Sequence, residues 1–229
     1  MIDWHSHILP QMDDGSKSVE ESLKLIEMQQ AQGIKTVVAT PHFYANDESV
    51  DSFLQRRKES FNLLKQSLPE NAPKIILGAE VKYYHGISKL ENLKALRAEG
   101  SEVLLLEMPF IKWTEYMVRE ITEISLMGDV KLVLAHIERY LSLQSRELWD
   151  YILNGEIFTQ VNASFFASSV TRRKALSMLK QGKIHFLGSD CHNLTTRYPK
   201  LDKAQSVIEK KFGQNFICQM NEYGESVLV

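Results

Sequence analysis

Cysteine is scarce in this 229-residue chain: Cys191 and Cys218 are the only two. Two cysteines cannot form a disulfide framework over this length, so a reducing cytoplasm is the expected compartment. Charge of one sign is not in excess either. Lys and Arg number 27 against 29 Asp and Glu, a formal net charge of −2, which argues against a nucleic-acid backbone as partner. No apolar run approaches the roughly 18 residues a membrane span needs, and the opening residues lack the basic and apolar regions of a secretory signal. No low-complexity stretch or linker interrupts the chain, so residues 1–229 read as one domain. The glycine-rich phosphate loop that usually follows the first strand of an open doubly wound sheet is also missing. Its place holds His-Ser-His, inside the opening "MIDWHSHILPQMDDG".

Seven short apolar runs are present: "MIDWH" (1–5), "KTVVAT" (35–40), "KIILGAE" (74–80), "EVLLLEM" (102–108), "KLVLAH" (131–136), "IFTQVNA" (157–163) and "KIHFLGS" (183–189). They are short and bounded by turn residues, as buried parallel strands are. Helical patterns lie between them. Ser18 and Glu21 form a capping-box pair, and Val19, Leu23 and Ile26, like Met117, Ile121 and Ile124, recur at one-face helical spacing. Gly33, Gly128, Gly155 and Gly182 each stand just before a run, where a left-handed glycine ends the preceding helix. Alternating strands and helices predict a (β/α)7 barrel, with an open doubly wound sheet as the runner-up.

In such barrels chemistry gathers where strands end at their C-terminal side. Run one ends in His5 and His7, run two in His42, run three in Glu80, run four in Glu107, run five in His136, and run seven in Asp190 and His192. Asp14 lies on the first loop, and run six offers only Asn162. Each piece alone is weak: His-x-His is common, and a glutamate at a strand end is usually just solvated. Their convergence on one face is not explained that way. Five imidazoles and four carboxylates suit borderline or hard divalent ions such as Zn, Mn or Fe, and nine donors suggest two or three ions. His85 and His185 fall away from the strand ends and are read as non-ligands.

The stretches "DWHSHILPQMDDG", "TPH", "GAE", "LLEMP", "AHIERY" and "GSDCHN" resemble the polymerase-and-histidinol-phosphatase (PHP) superfamily. The resemblance spans essentially the whole chain. It is closest to the branch of manganese-dependent protein-tyrosine phosphatases from bacterial capsule and exopolysaccharide loci. It implies a distorted (β/α)7 barrel and a trinuclear centre, usually Mn²⁺ with Fe, Zn or Mg as substitutes. The implied ligands are His5, His7, Asp14, His42, Glu80, Glu107, His136, Asp190 and His192. Asp14 is preferred to Asp13 because it directly precedes the glycine, and Glu80 is expected to bridge two ions. Arg139 and Arg197 match the arginines that hold phosphate, a task suited to a guanidinium fork, and His42 is counted with them as a catalytic candidate. Arg56, Arg57, Arg172 and Arg173 are read as surface residues. The implied reaction is metal-assisted hydrolysis of phosphotyrosine without a phosphoenzyme, on the C-terminal tail of a bacterial tyrosine kinase.

"CHNLTTR" (191–197) also has the Cys-x5-Arg spacing of cysteine-dependent tyrosine phosphatases. It lacks the glycines that let backbone amides cradle a phosphate, so the spacing is taken as coincidence. Phe43, Tyr44, Phe110, Trp113, Tyr140, Phe165 and Phe166 follow the strands. Ordinary loop packing is the reading for any one of them, although some could line a rim for an aromatic ring. Three rival functions stay open from the residues: a small-molecule phosphatase such as histidinol phosphatase, a nuclease, and a non-catalytic metal-binding regulator. Length and motifs disfavour the first, and charge disfavours the second. The complete donor set disfavours the third.

Overall fold

The computed structural model describes residues 1–228. Nine short strands run β1 (Ile2–Ser6), β2 (Thr36–Ala39), β3 (His42–Phe43), β4 (Lys74–Leu77), β5 (Glu80–Lys82), β6 (Val103–Glu107), β7 (Lys131–Leu134), β8 (Phe158–Asn162) and β9 (Phe186–Gly188). The first helices are α1 (Val19–Ala31), α2 (Val50–Lys65), α3 (Glu115–Ser125) and α4 (Arg146–Leu153). They are followed by α5 (Ser164–Ala167), α6 (Arg172–Lys180), α7 (Leu201–Phe212) and α8 (Gln214–Val227). All strand pairs are parallel, in a three-stranded sheet β1-β2-β4 and a six-stranded sheet β3-β5-β6-β7-β8-β9. The sheets curl together. Asp190 N–H donates to His5 O at 2.8 Å and His7 N–H to Cys191 O at 3.0 Å, which brings the end of β9 beside β1.

Each of the seven runs holds a strand; the third (74–80) is broken between β4 and β5, and a short β3 follows the second run (35–40) beyond Pro41. Pro41 has no N–H to donate and ends β2, while the break between β4 and β5 falls at Gly78–Ala79. Pairing continues across the gap through Gly78 N–H to Ala39 O (2.8 Å) and Glu80 N–H to Pro41 O (3.0 Å). The freed Gly78 carbonyl accepts from Arg57 Nη1 at 2.7 Å. Arg57 is therefore not a surface residue: it is 4% exposed and seals the strand break.

Helix starts follow their caps. Ser18 Oγ accepts from Glu21 N–H at 3.2 Å, but Glu21 Oε2 reaches past the cap to Lys17 N–H at 2.8 Å, a displaced capping box. On α3, Ile121 and Ile124 are fully buried and Met117 partly so, as their spacing requires. Gly33 (φ +78°) and Gly182 (φ +69°) are left-handed helix stops, whereas Gly128 and Gly155 do not adopt positive φ.

Strand alternation divides the core. Leu104, Leu106, Leu132 and Leu134 face the helices with Ile121, Ile124 and Trp149. Val103, Leu105, Val133, Val38, Ile76 and Ile2 face inward around Trp4, which stacks on Phe186 with ring centroids 3.9 Å apart. Each buried aliphatic side chain contributes about 1.5–3 kcal/mol. Continuing the inward register from Val103 and Leu105 gives Glu107, and from Ile76 and Gly78 it gives Glu80.

Candidate metal centre

Glu80, 1% exposed, is the hub. Its Oε2 lies 3.0 Å from His5 Nε2, 3.2 Å from His7 Nε2 and 3.0 Å from His42 Nδ1. Its Oε1 lies 2.9 Å from His136 Nε2. Around this hub, donor atoms fall into four overlapping groups, each within 4.8 Å: His7, Asp14, His42 and His192; His5, His7 and Asp190; His5, Glu80 and His136; His42, Glu80 and Glu107. All nine side chains expected as ligands, eight from strand ends and Asp14 from the first loop, are in them.

Two of these residues sit in strained backbone. His136 (φ +33°) and Asp190 (φ +51°) occupy the left-handed region, which non-glycine residues rarely adopt. At His136 this turns the chain directly after β7. Asp190 Oδ1 then faces His5 Nε2 (3.7 Å), His7 Nε2 (3.6 Å) and His192 Nδ1 (3.5 Å). Two arginines flank the same carboxylate. Arg139 bonds Asp190 Oδ2, and Arg197 Nη2 bonds Oδ1 at 2.7 Å. Both are about one-third exposed, at 32% and 39%, so N–H groups remain open to a ligand.

Several supporting side chains escaped the reading of strand ends. Asp13 Oδ2 accepts from His7 Nδ1 at 2.7 Å and from His42 N–H at 2.8 Å, while Asp14 Oδ1 faces His192 Nε2 at 3.3 Å. The two neighbouring aspartates thus divide the work, one behind a ligand and one beside it. Gln160 Oε1 faces His5 Nδ1 at 3.3 Å and accepts His136 N–H at 2.7 Å. Gln160 Nε2 donates to Asn162 Oδ1 (3.0 Å), and Asn162 Nδ2 donates to Asp190 Oδ2 (2.8 Å). β8, which lacks a ligand, therefore supplies the amide chain that holds three of them. Lys82, two residues past Glu80 on β5, pairs with Glu107 Oε2 at 2.7 Å. Two glycines allow the crowding. A Cβ on Gly15 would stand 2.5 Å from His7 Cβ, and one on Gly188 would stand 2.5 Å from His5 Cβ and 2.6 Å from Gln160 Nε2.

Hydrogen bonding sets the imidazole tautomers. Nδ1–H of His5 points to Gln160, that of His7 to Asp13, and that of His192 to the Asp190 carbonyl at 3.0 Å. Each Nε2 is left with a lone pair aimed inward, and those of His5 and His7 face each other at 3.1 Å. Glu80 Oε2, His42 Nδ1 and His192 Nε2 are buried without a hydrogen-bond partner. Acceptors aimed at acceptors call for cationic charge between them, which divalent ions supply.

The charges agree. Burial works against the His7 cation, but Asp13 and Glu80 outweigh it and push its pKa up to about 10. His5 is raised likewise by Glu80 and Asp190 against burial. Burial lowers His42 and His136, and burial with the His7 charge lowers His192 to about 4. Burial opposes the Glu80 anion too, yet the surrounding imidazoles hold its pKa well below the usual carboxylate range. The carboxylates thus demand positive charge at the hub. Divalent ions meet that demand with every imidazole neutral, the form that ligates.

Other candidates fall outside. Cys191 is fully buried, with its thiol pushed up by burial and then by Asp3, so the Cys-x5-Arg spacing makes no nucleophile. His85 stacks on Tyr116, and His185 Nδ1 bonds Thr159. Arg172 is exposed, as expected, and its guanidinium bonds the Phe166 and Ala167 carbonyls at the end of α5. Arg56 pairs with Glu48.

Residues 1–225 match the family model of CpsB/CapC, capsular polysaccharide synthesis. The tyrosine-protein phosphatase YwqE of Bacillus subtilis (strain 168) is 29% identical over 238 residues, covering 100% of this chain and 91% of that protein. The tyrosine-protein phosphatase CpsB of Streptococcus pneumoniae is 31% identical over 229 residues, covering 93% and 91%. A crystal structure from work on YwqE and CpsB, described as metal-dependent tyrosine phosphatases, superposes with a TM-score of 0.82 and 26% identity, covering 100% of this chain and 94% of that one. The chain belongs to the CpsB/CapC family of capsular polysaccharide synthesis.

Proposed function

We propose that this chain is a metal-dependent protein-tyrosine phosphatase of capsule or exopolysaccharide synthesis. We read it as one cytoplasmic domain whose curled sheets make a seven-stave barrel. β2 with β3 and β4 with β5 each count as one stave. Two or three divalent ions, Mn²⁺ first and Fe, Zn or Mg as substitutes, would be held by His5, His7, Asp14, His42, Glu80, Glu107, His136, Asp190 and His192. The observation that carries the reading is Glu80, fully enclosed by four imidazole nitrogens at 2.9–3.2 Å with the two arginines beside it. The naming of YwqE and CpsB as tyrosine-protein phosphatases supports it.

Ions bound at this centre supply Lewis acidity toward phosphoryl oxygens and acidify a water. The protein does the rest. Arg139 and Arg197 hold Asp190 in place and present their remaining N–H groups to the equatorial oxygens, where charge grows in the transition state. Asp13, Gln160 and the Asp190 carbonyl keep three imidazoles in the ligating tautomer. His42 is 13% exposed against at most 1% for the other four, so it is the imidazole a substrate meets. The leaving tyrosyl oxygen, with a pKa near 10 in the free phenol, departs on that side. The substrate is a phosphotyrosine protein, and the tail of a bacterial tyrosine kinase fits the family's role.

The test is phosphate release from a phosphotyrosine peptide by metal-stripped protein, with and without Mn²⁺, beside Cys191→Ser and with histidinol phosphate as competing substrate. Activity is expected only with metal, undiminished in Cys191→Ser, and greater on the peptide. Metal-independent activity lost in Cys191→Ser, or preference for histidinol phosphate, overturns the reading.

A further inference from the structure

The aromatic residues that follow the strands divide sharply by exposure. Phe43, Trp113, Tyr140, Phe165 and Phe166 are at most 5% exposed and pack the core. Tyr44 (39%) and Phe110 (56%) stay open. Tyr44 sits against the centre, and Phe110 is one ring removed from it. The Tyr44 ring lies 5.4 Å from that of His42. The Phe110 ring lies 5.3 Å from that of Tyr140, which lies 5.8 Å from His136. His42 and His136 touch the two oxygens of Glu80.

Phe110 is not exposed because its loop is slack. Trp113 N–H donates to Gln144 Oε1 (2.9 Å), Gln144 Nε2 returns a bond to Ile111 O (2.8 Å), and Trp113 Nε1 donates to Pro109 O (3.2 Å). Gln144 and Trp113 are 8% and 5% exposed. The loop is pinned from beneath while its first aromatic ring is left open, which is the arrangement of a preorganised contact.

Spacing favours a ring between them. Tyr44 directly follows β3, Phe110 follows β6, and β5 lies between these strands in the sheet. Two strand intervals of about 4.8 Å separate β3 from β6 by roughly 10 Å. An aromatic ring making an offset contact on each face, at about 4.5–5 Å per centroid pair, fills that distance. Lys82, on the intervening strand β5, pairs with Glu107 on β6 at 2.7 Å. Arg139 and Arg197 stand beyond, after β7 and β9.

We infer that Tyr44 and Phe110 are the two walls of a subsite for the aromatic ring of an aryl phosphate, whose phosphoryl group points toward Arg139 and Arg197. This rests on the phosphatase reading and adds to it a reason for choosing phosphotyrosine over alkyl phosphates. Phosphoserine and phosphothreonine have no ring to fill the gap.

Two measurements on Mn²⁺-loaded protein test it. The first is calorimetric binding of phenylphosphonate and methylphosphonate, neither of which is hydrolysed. The second is KM for a phosphotyrosine peptide beside Ki for inorganic phosphate. Wild type is expected to prefer the phenyl compound by about 3- to 10-fold. Phe110→Ala and Tyr44→Ala should each erode that preference and raise the peptide KM similarly. Methylphosphonate affinity and phosphate Ki should stay put, and Phe110→Tyr should restore the preference. An unchanged preference in both alanine variants overturns the subsite. So does an equal fall in affinity for both phosphonates. A wild type that binds methylphosphonate but leaves the phosphotyrosine peptide intact overturns the phosphatase reading instead.

Discussion

The lower and upper halves of the interior of the curled sheets use the same strands, the same inward register and opposite chemistry. On β6, Val103 and Leu105 are followed by Glu107, and on β4 and β5, Ile76 is followed by Glu80 and Lys82. On β8, Phe158 packs against the apolar cluster below, while Gln160 and Asn162 hold ligands above. The lower layer is stabilised by burial and dispersion and needs no partner. The upper layer concentrates buried carboxylates and imidazoles that are costly unless charge and hydrogen bonds are supplied. One end therefore contributes stability and the other consumes it for function, and substitutions at equivalent positions should fail differently.

The largest effect is expected at the hub. Glu80→Gln should lower turnover by at least about 10³-fold, the scale for groups that act as a unit, and lower the bound metal per chain, with the circular dichroism spectrum retained. Near-normal metal content and rate in this variant would remove Glu80 from the centre. Two residues below Glu107, Leu105→Ala should cost about 2–5 kcal/mol of unfolding free energy in denaturant melts. Metal affinity of the folded fraction should hardly move. A metal-binding defect as large as the stability loss would mean that the two layers are not separable.

A smaller effect distinguishes ligand from support. Gln160→Leu keeps the volume but releases His5 and the His136 amide, and metal affinity is expected to fall about 10- to 100-fold by competition titration. Unaltered affinity would show that the tautomer of His5 is set elsewhere.

A further effect is on pH dependence. Without metal, the pKa of His7 rises from 6.5 to about 10 in the folded chain. For a base raised on folding, the stabilisation is complete below about pH 6.5 and is lost as pH climbs through about 10. Melting temperature in chelator should accordingly fall between pH 7 and 10. The gap to the Mn²⁺-loaded protein should widen over the same range, since loading no longer has to displace that proton. A flat profile in chelator would contradict the electrostatic picture.

The two layers also differed in how readily they could be read from sequence. Strand ends carrying His, Asp or Glu stand out only by their convergence on one face, and eight of the nine side chains gathered at the centre can be found that way, Asp14 lying on the first loop. Lys82 could not, because "KIILGAE" reads as a strand ending at Glu80 while the chain continues as β5 for two more residues. Gln160 looks like any polar residue inside a run, since its role depends on contacts with His5 and His136 that sequence separation hides. Arg57 reads as a surface charge because nothing local reveals the Gly78 carbonyl left open by the strand break. That break was itself obscured by the continuity of the apolar pattern. The exposure difference between Phe43 and Tyr44, neighbours in the chain, depends on strand alternation and on what covers each side.

The most direct test is anomalous diffraction at the manganese edge from crystals of the Mn²⁺-loaded protein. At least two manganese peaks are expected within coordination distance of the nine side chains, with Glu80 touching two of them. A single peak, or peaks remote from Glu80, would contradict the central claim that one buried carboxylate organises a multinuclear phosphatase centre.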